Sequence, residues 1–348
     1  MTSKLAQVET LAVRCPNWVG DVVMATPVFE CLRKNLPQAR IVGVLRSSAH
    51  SIVRDGPWFD ALVDGNDRSW PGFREMRRQL RALKPDAALL LTNSMRSVLT
   101  MRLSGVRRVY GYRRQGRGVL LTGGPTVARN GQSVRTPMIE YYLGLCQWLG
   151  LDLPLQPRPR LYVGAALAQR GAALLARYGV GKDDFLVGLN PGAAFGPSKR
   201  WPPEYFAEVA QLCQTRFNAK VILFCGPGED SIAEAILRQT KATIIDARDA
   251  PLDLEILKPL VQRCNLFITN DTGPRHYAVA FDVPVVVLIG STDPQDTNSC
   301  VDRTAVLHRV LDCSPCYKRV CPRQHECMRE IRPAEVLRAA EQLLDKCA

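Results

Sequence analysis

Leu266-Phe267-Ile268-Thr269-Asn270-Asp271-Thr272-Gly273-Pro274-Arg275-His276 is the stretch on which the fold turns. Its apolar opening, Leu266 to Ile268, has the composition of a buried strand. Ala278 to Phe281 continue with helix character, and Pro284 to Ile289 reads as the next strand. The order strand, polar turn, short helix, strand belongs to a parallel sheet with crossover helices. Gly273 can take a positive φ at low cost, and Pro274 suits the first helical position, where its missing N–H would be orphaned anyway. Such a turn sets hydroxyls and backbone N–H groups at a helix N-terminus, which attracts anions. It is also the form of an ordinary capped βα turn.

The same alternation runs outward in both directions. Towards the N-terminus lie strand Leu186–Leu189, helix Pro202–Gln214, strand Val221–Phe224, helix Ser231–Gln239, strand Thr243–Ile245 and helix Asp253–Gln262. Further back, Leu11–Val13, Ile41–Leu45, Ala87–Leu91 and Val109–Tyr112 read as strands between the helices Asp21–Asn35, Phe73–Leu83, Met95–Leu103 and Pro137–Leu149. Arg113–Arg135, rich in Gly and Arg, reads as a mobile loop. Between the two series stands Leu151–Arg160, whose three prolines suit an extended linker. The 348 residues exceed one typical core. They divide into domains at 1–155 and 161–331 with a terminal helix in 332–348. The expected architecture is α/β, two doubly wound Rossmann-like domains facing a central cleft, with ligands at the carboxyl ends of the strands.

Charge is distributed unequally. Residues 1–150 carry 22 Lys and Arg against 10 Asp and Glu, whereas residues 151–348 carry 24 against 23. Arg96–Arg135 holds nine arginines and no acidic residue, so this half is expected to meet something anionic. No apolar run approaches the roughly 18 residues of a membrane span, and Met1 to Glu9 lacks a signal-like apolar core. The expected setting is cytoplasmic, which argues against disulfides among the twelve cysteines. Cys313, Cys316, Cys321 and Cys327, with His325 nearby, are dense enough for a metal knuckle. Their spacing matches no standard zinc pattern, and a compact thiol-rich loop is the expected form.

Two further loops stand out. Asn17-Trp18-Val19-Gly20-Asp21 follows the first strand and puts an aspartate at a helix start, without the glycines of a dinucleotide fingerprint. There Asp21 can cap a helix or accept a proton from a bound hydroxyl. Pro191-Gly192-Ala193 with Lys199-Arg200-Trp201-Pro202 lies in a βα loop whose residues suit a diphosphate but whose spacing is not that of a P-loop.

These two loops and Asn270-Asp271-Thr272-Gly273-x-x-His276 together resemble the heptosyltransferase family of lipopolysaccharide core biosynthesis, glycosyltransferase family 9. The motifs span nearly the whole chain in the family's order. The resemblance implies a GT-B fold and an inverting, metal-independent enzyme with no cofactor. It would move heptose from an ADP-heptose donor to a heptose of a lipid A–Kdo–heptose acceptor at the cytoplasmic face of the inner membrane. It makes Asp21 the general base, and Lys199, Asp271, Thr272, Gly273 and His276 the donor side. It also implies peripheral contact with the inner-membrane surface, where Arg96–Arg135 could hold the acceptor's anions and the bilayer surface; Arg113, Arg114 and Arg117 are candidates for acceptor anions. The cysteine-rich run from Cys313 occurs in only part of the family. Competing readings are another GT-B sugar-nucleotide transferase, an epimerase, or a non-catalytic anion or nucleic-acid binder. Few aromatics beyond Tyr110 and Tyr112 interleave the arginines, so base-stacking support is thin and no nucleic-acid partner is expected.

Overall fold

The computed structural model describes residues 3–126, 136–250, 252–297 and 300–347. It divides into two compact units, Met1–Tyr162 and Val163–Ala348.

The first unit runs β1 (Thr10–Arg14), α1 (Val19–Met24), α2 (Thr26–Asn35), β2 (Arg40–Leu45), α3 (His50–Val53), β3 (Ala61–Asp64), α4 (Trp70–Leu83), β4 (Ala87–Leu90), α5 (Met95–Leu103), β5 (Arg108–Gly111) and α6 (Met138–Trp148). Its sheet is parallel in the order β3-β2-β1-β4-β5. Leu11 stands opposite Ile41 on one side and Ala87 on the other. β1 and β4 are almost wholly buried, because helices cover both faces of such a sheet. The chain winds outward from β1 in one direction, then returns and winds in the other. The winding therefore reverses between β1 and β4, where loops diverge and leave a crevice.

The second unit runs α7 (Ala165–Arg177), β6 (Leu186–Asn190), α8 (Pro203–Phe217), β7 (Lys220–Leu223), α9 (Asp230–Gln239), β8 (Ile244–Asp246), α10 (Leu257–Arg263), β9 (Leu266–Asn270), α11 (Gly273–Ala280), β10 (Val285–Ile289), β11 (Thr304–His308), α12 (Glu326–Arg329) and α13 (Pro333–Cys347). Its parallel order is β11-β10-β9-β6-β7-β8, reversing between β6 and β9. Trp201, 1% exposed, anchors the core against Phe206 and donates its indole N–H to the Ile331 carbonyl at 2.9 Å. Val336, Ala340 and Leu343 of α13 enter the same core, so the terminal helix belongs to this unit.

Four details differ from the sequence reading. The single helix expected over Asp21–Asn35 is two helices, because Pro27 has no N–H to continue the first and sits in the opening turn of the second. The helix expected from Asp253 begins at Leu257. The Asp253 carboxylate instead accepts from the Glu255 and Ile256 N–H groups in a preceding turn. The strands β3 and β11 were not legible, being short or half-exposed. Finally, the loop expected to be mobile is tied down as far as Thr126: a 3-10 turn covers Arg117–Leu120, and bridges join Tyr110 to Gly123 and Arg113 to Thr126. Its remainder, 127–135, lies outside the described residues.

Candidate active site

The opening motif and the Lys199 loop both leave the sheet at the reversal point of the second unit, one after β9 and the other after β6. Asn270, fully buried, stitches them together. Its amide N donates to the Pro191 carbonyl at 2.7 Å, and its amide O accepts from the Trp201 N–H at 3.0 Å. One strand residue earlier, Asn190 donates to the Thr269 hydroxyl at 3.0 Å. A ten-residue excursion of chain is thus clamped at both ends by side chains that have no water to bond instead.

Lys199 closes the arrangement. Its Nζ lies 2.6 Å from Asp271 Oδ2 and donates to the Asp271 carbonyl at 3.2 Å. The other carboxylate oxygen accepts from Arg275 Nη1 at 2.9 Å, one helical turn on, and the Thr292 hydroxyl donates to Oδ2 at 2.8 Å. Burial alone would raise the Asp271 pKa. The charges of Arg275 and Lys199, with these hydrogen bonds, overcome that and hold it well below the usual carboxylate range. Among the described residues these two cations share this one anion, so the three side chains sum to one positive charge. Lys199 is therefore not a solvated surface lysine; Asp271 fixes its head.

α11 begins immediately beside this cluster. Thr272 is its N-cap, with extended backbone and no side-chain bond into the helix, so its hydroxyl is not consumed in capping. Gly273 is the first helical residue and takes no positive φ, contrary to the sequence reading. The turn is built by Pro274 at the helix start, which lacks an N–H, and by the Arg275 N–H bonded to the Thr272 carbonyl at 3.2 Å. Arg275 and Thr292 were missed in the sequence. The four-residue spacing of Asp271 and Arg275 was the available signal for the first.

His276 is 6% exposed. Burial, reinforced by the Arg275 charge, lowers its pKa from 6.5 to about 3, so it serves only as a neutral imidazole. Between those values the unfolded chain binds a proton that the folded chain refuses, so stability falls as pH drops through that window. The slope from this group reaches about 1.4 kcal/mol per pH unit. His308, also lowered by burial, adds to it. Denaturation midpoints at pH 7 and pH 5 should differ in this direction, and His276→Gln should narrow the difference; an unchanged gap would place the titrating group elsewhere.

The cysteine-rich segment folds over the end of β10 and braces the Lys199 turn. Cys316 and Tyr317 donate N–H bonds to the Ser291 carbonyl at 3.1 and 2.9 Å. The Ser198 N–H donates to the Arg319 carbonyl at 3.1 Å, and His325 Nε2 donates to the Ser198 carbonyl at 2.8 Å. Gly196, with φ of 155°, lies so close that a Cβ would come within 2.4 Å of the Arg319 oxygen. Cys313, Cys316, Cys321 and Cys327 are free thiols lining one cavity of about 310 Å³. Among the described residues, no group of three or more His, Cys, Asp or Glu is placed to hold a metal ion.

In the first unit, Asp21 lies in the opening turn of α1, just past the central strand β1 and beside its reversal point. It is half-buried. The Tyr142 phenol is pushed up by burial first and then by the nearby Asp21 charge. The loop after β4 flanks the same crevice: Asn93 donates to the Tyr141 hydroxyl at 2.8 Å, and Tyr141 stacks on Tyr112 at 4.1 Å.

The three candidate arginines separate. Arg113 and Arg114 are exposed. Arg117 is 0% exposed, donating to the Tyr112 carbonyl at 2.9 Å, to the Thr92 carbonyl, and to Asn93 Oδ1 at 3.1 Å. It is therefore an internal brace that orders its loop and offers no surface to an acceptor, a correction to the sequence expectation. A guanidinium with five donors suits that work because it saturates several carbonyls at once.

Two doubly wound parallel units in one chain, the second carrying an anion-type turn at its reversal point, define a GT-B fold. Residues 73–326 match the model of "Glycosyltransferase family 9 (heptosyltransferase)", and the chain belongs to that family. It is 24% identical to the lipooligosaccharide heptosyltransferase 2 of Campylobacter jejuni serotype O:6, over 95% of this chain and 98% of that one. It is 26% identical to lipopolysaccharide heptosyltransferase 2 of Escherichia coli K12, over 94% and 97% respectively. Among solved structures, the family 9 glycosyltransferase of Veillonella parvula superposes with a TM-score of 0.84 at 26% identity, covering 97% of each chain. The E. coli ADP-heptose lipopolysaccharide heptosyltransferase II superposes with a TM-score of 0.78 at 24% identity, covering 97% of this chain and 99% of that chain.

Proposed function

We propose that this glycosyltransferase moves L-glycero-D-manno-heptose from ADP-heptose to a heptose of the lipopolysaccharide inner core, with inversion, as a heptosyltransferase of type II. The observation that carries the donor side is the Lys199–Asp271–Arg275 cluster beside the N-terminus of α11. Its surplus positive charge, the Thr272 hydroxyl and the Gly273 N–H suit a diphosphate. The names of the relatives support heptose as the sugar.

In this reading the first unit receives the acceptor and supplies Asp21 as base. The acceptor oxygen attacks the anomeric carbon while the carbon–oxygen bond to the diphosphate breaks and its electron pair leaves with ADP. The acceptor proton passes to Asp21. The hydroxyl acidifies as its bond to carbon forms, so a carboxylate is an adequate base. A single displacement of this kind inverts the anomeric centre. Charge growing on the diphosphate meets donors already fixed by Asn270 and Asp271, which need little reorganisation at the moment of reaction. His276, neutral and buried beneath the turn, orients it or accepts one hydrogen bond. Arg113 and Arg114 face solvent and suit the phosphates and carboxylates of a lipid A–Kdo–heptose acceptor, whose lipid anchor brings the enzyme to the cytoplasmic face of the inner membrane.

A thermal-shift series tests the donor. At a hundredfold excess over its Kd a bound ligand stabilises by about 2.7 kcal/mol. ADP-heptose and ADP should raise the melting temperature, and UDP- and GDP-sugars should leave it nearly unchanged. Stabilisation by UDP-sugars alone would transfer the protein to another donor class.

A further inference from the structure

We propose that the α4–α5 face of the first unit is a docking surface for an anionic lipid bilayer. α4 turns Met76 and Leu80 into the core and carries Arg74, Arg77, Arg78 and Arg81 at helical spacing along one stripe. Over residues 66–83 and 94–103 there are seven arginines, two acidic residues and no lysine. Both acids are engaged: Asp67 pairs with Arg14 at 3.2 Å, and Glu75 with Arg78 at 2.6 Å. Arg74 and Arg81 carry no ion pair among the described residues.

Beside this stripe the surface is apolar. Trp70 is 69% exposed, Leu103 56% and Leu99 42%. With Phe73 they line a groove of about 420 Å³ between the two helices, with Arg68 and Arg96 on its lining. The Arg77 Nε–H donates to the Leu103 carbonyl at 3.0 Å and ties the end of α5 to α4, so charged and apolar parts form one rigid face.

The combination selects the partner. An indole beside exposed leucines suits the headgroup–acyl boundary, and arginines flanking it reach anionic headgroups with their stems lying on apolar surface. Single-stranded nucleic acid would use the arginines and one or two rings but gives Leu99 and Leu103 nothing to cover them. For its biological sense the inference rests on the lipid-anchored acceptor proposed above, yet lipid binding can be measured without it.

The test is flotation of the full-length protein with phosphatidylglycerol/phosphatidylcholine vesicles and with pure phosphatidylcholine vesicles. Wild type should bind the anionic vesicles at least tenfold better, and 0.3 M salt should release most of it. Trp70→Ser/Leu103→Ser and Arg74→Gln/Arg81→Gln should each lose tenfold or more in partitioning. Both should keep the wild-type melting temperature and turnover on a delipidated core acceptor. Equal binding to neutral vesicles, or undiminished binding by both variants, would overturn the assignment. So would displacement from vesicles by an equimolar RNA oligonucleotide. If vesicle binding persists while no sugar is transferred, the functional reading fails and the docking surface stands.

Discussion

Replacing Asp21 with asparagine is expected to lower kcat for heptose transfer by about 10²- to 10⁴-fold, the range for loss of a positioned general base. The change is nearly isosteric and α1 makes no side-chain cap at Trp18, so helix and fold should survive. Donor affinity should be almost unaffected, because the proposed donor contacts all belong to the second unit. The loss should therefore fall on kcat rather than on the KM for ADP-heptose. Near-normal turnover by a folded Asp21→Asn protein would remove Asp21 as the base.

Replacing Asp271 with alanine is expected to destabilise the second unit by about 3–5 kcal/mol, the usual consequence of leaving buried charges without their partner. Arg275 and Lys199 have side chains only 2% and 13% exposed, and both would lose their anion. Lys199→Met should cost far less, because Asp271 keeps Arg275 and Thr292. It should instead weaken donor binding by removing the surplus charge. Urea unfolding of the single and double variants gives the coupling directly. A loss under about 1 kcal/mol for Asp271→Ala would mean that water, rather than the ion cluster, satisfies those cations.

Much of the fold was legible because the buried strands contain the continuous apolar runs Leu186–Leu189, Leu266–Ile268 and Val285–Ile289 beside turn residues, the pattern a covered parallel sheet imposes. β3 and β11 were invisible because short or half-exposed edge strands carry no such run. The helix break at Pro27 was readable in principle, but the apolar spacing from Val22 to Leu32 continued through it and outweighed the proline. Sequence placed the proposed donor loops after two strands, since βα loops at strand ends follow from strand order. It did not give their partners. That Lys199 is spent partly on Asp271 depends on how two loops meet about seventy residues apart, whereas the Arg275–Asp271 pair is local, four residues apart, and was passed over. Arg117 failed for a related reason: an arginine among exposed arginines looks like surface, and only the interior carbonyls of Thr92 and Tyr112 mark it as a brace.

The central claim is tested most directly by incubating the purified protein with ADP-heptose and an inner-core acceptor bearing one heptose, then weighing the acceptor and counting released ADP. The acceptor should become heavier by one heptose residue with one ADP released per transfer, and neither change should occur with Asp21→Asn on the same timescale. An acceptor left unmodified by ADP-heptose but extended by a UDP- or GDP-sugar would contradict that claim.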